Sequence, residues 1–213
     1  MKGTGTKRAH LKIAGDYLIT PVSEIMKFLK AWQGFQNFHK FKLILDPCAG
    51  GLKRSARPVK LREKYLEPGT PMSYPEAFVG FGFSAFSKYE IITNDIRKNS
   101  PAQYHFNYLE LDISPKPDLI ITNPPFFYIK EMISKAYSEI KPKGCVVFLV
   151  ASTFFASKAR FQLWQDLTPD FIFFHSRRMS FWPDGGLDYL NYMHVVWVKR
   201  KRPKTTQFIL LPQ

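Results

Sequence analysis

Cysteine is scarce in this sequence: 213 residues hold two, Cys48 and Cys145, far apart and with no histidine or second cysteine at metal-ligand spacing. That pattern excludes a disulfide framework and a cysteine-based zinc site, no metal centre is expected, and a reducing compartment fits. Long apolar runs are missing as well. No stretch of 18 or more apolar residues occurs, so no membrane-spanning helix is expected, and residues 1–10 are polar and basic, unlike a secretory signal. A cytoplasmic location is the resulting expectation. Neither an internal repeat nor a low-complexity tract breaks the chain. With 45% hydrophobic residues the length suits one well-buried core, and a single domain over residues 1–213 is expected.

Acid is the third shortage, with 17 Asp and Glu against 31 Lys and Arg. The excess is concentrated in three places. Residues 1–12 hold four bases and no acid, residues 52–64 hold Lys53, Arg54, Arg57, Lys60, Arg62 and Lys64 against Glu63, and residues 199–204 hold five bases and no acid. The remainder has 16 of each sign. A neutral body with three basic stretches is the pattern of a surface that binds a polyanion, nucleic acid first among them. Basic tails that merely aid solubility are the plainer reading.

What the chain has in quantity is short apolar runs, at 41–45, 89–93, 119–122, 145–150 and 171–174, separated by helical patterns such as 129–140 and 158–167. Continuous runs of this kind mark strands buried on both faces of a mostly parallel sheet, so the expected class is α/β. A helix is expected over 21–32, with Thr20 as N-cap, Pro21 first inside it, and Val22, Ile25, Met26, Leu29 and Trp32 on one face. Residues 177–181 and 189–198 flank the loop Trp182-Pro183-Asp184-Gly185-Gly186 and read as an antiparallel hairpin.

In an open α/β sheet, ligands bind beyond the carboxyl ends of the strands. Four polar segments fall there. Asp46-Pro47-Cys48-Ala49-Gly50-Gly51 joins an acid to glycines that let the backbone approach a ligand, although such a turn alone is more often punctuation. Asp95 suits two vicinal ribose hydroxyls, and Asp112, after an apolar run at 108–111, suits an adenine amino group or simply a turn. Asn123-Pro124-Pro125-Phe126 is the most informative, because two prolines hold the chain extended just past a strand. The Asn123 side-chain oxygen and the Pro124 carbonyl can together accept both hydrogens of a planar amine, with Phe126 as a stacking face. The same residues also work as a proline stop before the helix at 129–140.

Taken in order, these segments resemble the class I S-adenosylmethionine-dependent methyltransferases, in particular the N6-adenine amino-methyltransferases, over about residues 16–198. The resemblance implies a Rossmann-like, mostly parallel seven-stranded sheet with a C-terminal antiparallel hairpin, and S-adenosyl-L-methionine as cofactor. It implies that Thr20 and Pro21 border the methionine end of the cofactor and that Asp46, Cys48, Ala49 and Gly50 line it. Asp95, with Ile96 beside it, would hold the ribose, and Asp112 the cofactor's adenine amino group. Asn123, which also falls among the cofactor residues, and Pro124 would bind the target amine, with Pro125 beside them in the site, and Phe126 would stack on the target base. One departure stands out: the family's glycine loop usually continues with a small residue and a helix, whereas Leu52-Lys53-Arg54 follows here.

Gly51 and Asp95 are 44 residues apart, where a nucleotide-binding unit usually needs about 20, so an insertion is expected over about 52–74. Its bases Lys53, Arg54, Arg57, Lys60 and Arg62 are expected on phosphates, with Arg177, Arg178 and Trp182 as a second contact. The expected activity is methyl transfer to the exocyclic amine of a flipped or single-stranded adenine in DNA. RNA adenine methylation is the alternative, since the same basic surface would serve it. Protein-glutamine methylation comes last, because that family typically ends the motif in Tyr. The small size suits a virus-encoded enzyme or an orphan prokaryotic one, and the sequence leaves oligomeric state open.

Overall fold

A computed structural model describes residues 18–61, 64–85, 88–181, 185–200 and 205–212. Residues 1–17, Arg62, Trp182, Lys201, Arg202 and Lys204, all implicated by the sequence, lie outside the described residues. The helices are Val22–Trp32 (α1), Ser73–Phe81 (α2), Ile129–Glu139 (α3) and Phe161–Asp166 (α4). The strands are Leu43–Asp46 (β1), Val59–Leu61 (β2), Lys64–Leu66 (β3), Glu90–Thr93 (β4), Leu119–Thr122 (β5), Cys145–Ala151 (β6), Phe171–His175 (β7), Tyr192–Val198 (β8) and Gln207–Leu211 (β9).

Seven strands form one sheet in the order β4-β1-β5-β6-β8-β7-β9, in which β8 alone runs antiparallel to its neighbours. This is the mostly parallel seven-stranded sheet that the sequence implies. Period-two alternation splits its residues between two cores. Leu119 and Ile121 of β5 cluster with α1 and α2, whereas Ile120 clusters with α3 and α4. The helices answer at period 3.6: Ile25, Phe28, Leu29 and Trp32 of α1, and Ile129, Met132, Ile133 and Ala136 of α3, are buried. Because β1 leads on one side to β4 and on the other to β5, the strand order reverses there, and a crevice opens at the carboxyl ends of β1 and β5.

Several details depart from the sequence reading. α1 begins at Val22 with Pro21 as N-cap, and Thr20, expected as the cap, spends its hydroxyl on Asn123 instead. The run at 108–111 is a 3-10 turn, Tyr108–Glu110, capped by the Asn107 side chain and drawn inward by the Tyr108 hydroxyl, which donates to Glu139. The antiparallel partner of β8 is β7, not 177–181, because Met179 and Phe181 leave the sheet to pack on Tyr192 and Leu149. The insertion after β1 is a loop plus the separate two-stranded β2–β3 sheet, and it ends before α2 at Ser73. Among the described residues no helix is long and apolar enough to cross a membrane, and no group of three or more His, Cys, Asp and Glu could hold a metal ion.

Candidate active site

The crevice beyond β1, β4 and β5 is a cavity of about 450 Å3, within the size range of small-molecule and cofactor sites. The turn after β1 forms one wall. Gly50 and Gly51 both have positive φ, at 72° and 73°, a conformation that disfavours side chains. A Cβ on Gly51 would also meet the Pro101 ring at 2.9 Å. Backbone shape therefore favours glycine at both positions, and space demands it at Gly51. The Gly50 N–H donates to Asp95 Oδ2 at 2.9 Å and ties this turn to the end of β4.

Asp46 is fully buried behind that wall. Its Oδ1 accepts from the Cys48 N–H at 3.2 Å and the Thr122 hydroxyl at 2.6 Å, while its Oδ2 has no partner. Burial pushes this carboxyl up to about 7, against the pull of those two hydrogen bonds. Burial, then the carboxylates of Asp95 and Asp46, hold the Cys48 thiol well above its ordinary range, so it is no nucleophile at neutral pH.

Asp95 is 5% exposed and has all four of its acceptor directions filled. Gly50 N–H and Arg97 Nη2 donate to Oδ2, and the Arg97 N–H and Nε donate to Oδ1. A ribose can take Asp95 only by displacing the Arg97 guanidinium.

At the end of β5, Asn123 is held by elements distant in sequence. Its Nδ2 donates to the Thr20 hydroxyl at 3.1 Å and the Leu18 carbonyl at 3.3 Å. Both amide hydrogens are thereby spent, and the Oδ1 acceptor is what remains for a ligand. The turn that follows starts with the Tyr128 N–H donating to the Pro125 carbonyl, so the Pro124 carbonyl stays outside it. Phe126 stacks on Tyr192 at 5.9 Å between ring centroids.

Of the residues named from sequence, Thr20, Cys48, Ala49, Gly50, Asp95, Ile96, Asn123 and Pro125 line the cavity. Asp46 and Pro124 are buried just behind them, and Pro21 and Phe126 are half-buried outside the lining. Asp112 is exposed and does not reach the cavity, since the 3-10 turn carries the chain past it. Asn107 and Glu110 of that turn line the cavity in its place, and a polar residue between the aromatic Phe106 and Tyr108 was the available signal. Tyr74 and Arg97 also line it, and no local pattern marks either.

The basic residues gather on the same edge. Arg54 and Arg57 follow the end of β1 and are exposed, as are Arg177 and Arg178 after β7. Lys53 is half-buried, and its ammonium donates to the Lys98 carbonyl. β1 and β7 lie four strand positions apart, about 19 Å at the usual strand spacing, with Asn123 between them.

The chain shares its fold with solved structures described as class I S-adenosylmethionine-dependent methyltransferases. Solved structures with the same fold include a Listeria monocytogenes protein assigned to that class, with TM-score 0.62 and 13% identity over 91% of this chain. This chain spans 65% of the Listeria protein. The N-methyltransferase NodS of Bradyrhizobium japonicum in complex with S-adenosylhomocysteine matches at TM-score 0.51 and 10% identity, over 85% of this chain and 89% of NodS. The type IIG restriction endonuclease BpuSI matches at TM-score 0.54 and 13% identity, over 87% of this chain and 26% of the endonuclease. No family model and no curated protein matches the sequence.

Proposed function

We propose that this protein is an S-adenosylmethionine-dependent methyltransferase that modifies the exocyclic amine of adenine in DNA. The observation that carries the reading is the locked Asn123 amide, which offers a ligand an acceptor oxygen and no donor. The cofactor half rests on the paired positive-φ glycines, the unpartnered buried Asp46 Oδ2, Asp95 at the end of β4 and the fold shared with NodS bound to S-adenosylhomocysteine.

When bound, S-adenosylmethionine would supply an electrophilic methyl group on a sulfonium. The protein's task is then to sharpen a poor nucleophile, because the lone pair of an adenine amine is delocalised into its ring. Asn123 Oδ1 and the Pro124 carbonyl accept one amine hydrogen each, which favours a pyramidal nitrogen with its lone pair localised and aimed. Thr20 and Leu18 keep the amide from rotating to present its donors. The methylated amine is acidic enough to lose its proton to water, so no strong base is needed at this position.

A nucleic-acid substrate is favoured by the two basic groups that flank Asn123. The target base would leave its stack to enter the cavity. Replacing every adenine of a methyl-accepting strand by hypoxanthine removes the amine and should abolish transfer. Transfer that persists into such a strand would overturn the assignment.

A further inference from the structure

Behind the cavity, a buried hydrogen-bonded chain crosses the core from α2 to α1. Tyr74 Oη lies 3.2 Å from His194 Nε2, His194 Nδ1 lies 2.9 Å from His175 Nε2, and His175 Nδ1 lies 2.9 Å from Glu24 Oε2. Tyr74, His194 and His175 are 2%, 0% and 1% exposed. Glu24 also takes Lys27 at 2.9 Å on its other oxygen, and the ring of Phe28 stacks on His194 at 4.2 Å. Two histidines in direct contact inside an aromatic core are expensive to bury unless every polar atom is used.

With His175 neutral, every atom is used, and in one sense only. The Glu24 carboxylate can only accept, and its bond from His175 holds it below the ordinary range. His175 Nδ1 therefore carries a hydrogen, and in the neutral ring its Nε2 accepts. His194 Nδ1 must then donate, which leaves His194 Nε2 bare, and burial keeps this ring neutral. The bare nitrogen accepts the single hydrogen of the Tyr74 hydroxyl. Tyr74 belongs to the cavity wall, and its oxygen is left with lone pairs and no hydrogen to offer a ligand.

Asp46 lies within electrostatic reach of the same hydroxyl and carries the unpartnered Oδ2. Above about pH 7, where Asp46 is ionised, these two groups present acceptors, and a ligand group that reaches them has to donate. We propose that Tyr74 is a specificity residue that accepts a hydrogen bond from the amino group of the ligand's amino-acid tail, its acceptor state fixed from Glu24 through His175 and His194. The inference rests on the cofactor reading above. It adds a residue with no local sequence signal and a positioning role for Glu24, His175 and His194, none of which touches the ligand.

Two measurements at pH 8, above the ordinary range of histidine titration, decide it. Long-range proton–nitrogen correlation spectra of the whole protein should show His194 protonated at Nδ1 and bare at Nε2. A hydrogen on Nε2 would overturn the proposal. Calorimetry should then compare S-adenosylhomocysteine with 5′-methylthioadenosine, which shares the nucleoside and lacks the amino-acid tail. Tyr74→Phe should weaken the first by about tenfold or more, the expected loss for a hydrogen bond to a charged donor, and change the second by less than about twofold. Equal losses for both would mean a packing role, and no loss for either would mean no contact, and each result refutes the proposal. A wild-type protein that binds neither compound would refute the cofactor reading instead, with the His194 spectrum still deciding the state of Tyr74.

Discussion

Replacing Asp46 by asparagine separates what this carboxyl does for a ligand from what its burial does to the fold. The side chain is 0% exposed and is pushed up to about 7 by loss of water. A carboxyl that moves from about 4 in the unfolded chain to about 7 in the fold costs about 4 kcal/mol once ionised, at about 1.4 kcal/mol per pH unit. The native state binds this proton more tightly than the unfolded chain does. Its contribution is therefore full below about pH 4 and is lost as pH rises toward about 7. Asparagine keeps the oxygen that accepts from Cys48 and Thr122 and carries no charge. The stability of Asp46→Asn relative to the wild type should stay level in acid and then gain up to about 4 kcal/mol between about pH 4 and pH 7. Other groups titrate alike in both proteins and cancel. Paired urea melts across this range read the difference directly. At pH 8 the same variant should bind S-adenosylhomocysteine about tenfold more weakly, because a charged acceptor has gone. A stability difference independent of pH would refute the reasoning.

Thr20→Val removes the oxygen that holds the Asn123 amide and keeps the side-chain shape. Single-turnover transfer should fall about 10- to 100-fold while cofactor affinity stays within about threefold, and an unchanged rate would remove Thr20 from the site. Arg97→Ala frees the acceptors of Asp95, so the ligand-free protein should lose about 1 to 3 kcal/mol in urea melts. S-adenosylhomocysteine should nonetheless bind more tightly, by roughly tenfold, because no guanidinium has to be displaced first, and weaker binding by calorimetry would contradict this. Neutralising Arg54, Arg57, Arg177 and Arg178 together should lower the slope of log affinity for DNA against log salt by up to about 4. An unchanged slope would place the phosphate contacts elsewhere.

Much of the fold is legible because burial on both faces of a strand writes itself as a continuous apolar run. The runs at 43–46, 90–93, 119–122 and 145–151 are strands close to where they are expected. The Ile25, Leu29 and Trp32 spacing of α1 is equally plain, since it records one helix face, to which the structure adds Phe28. What failed was long-range. Thr20 looks like a local cap, yet its hydroxyl serves a residue 103 positions away. The 108–111 run looks like a strand, yet a cap from Asn107 and a bond from Tyr108 to Glu139 wind it into a turn. His175 and His194 show no pattern because their pairing comes from the antiparallel neighbours β7 and β8. Around the cavity, Asp46 could be read because it ends a strand, and the glycines, Asp95 and Asn123 because they follow one. Tyr74 and Arg97 could not, since helix packing and an ion pair bring them in.

The most direct test of the account is transfer of a labelled methyl group from S-adenosylmethionine to DNA, RNA and protein in parallel, with the modified unit identified after digestion. The account predicts label in DNA, recovered as N6-methyladenine, and none from Asn123→Ala. N6-methyladenine in RNA alone would keep the chemistry at Asn123 and contradict the DNA assignment. Label on glutamine, or no label in any of the three by a protein that binds the cofactor, would contradict the reading of the site as an adenine-amine grip.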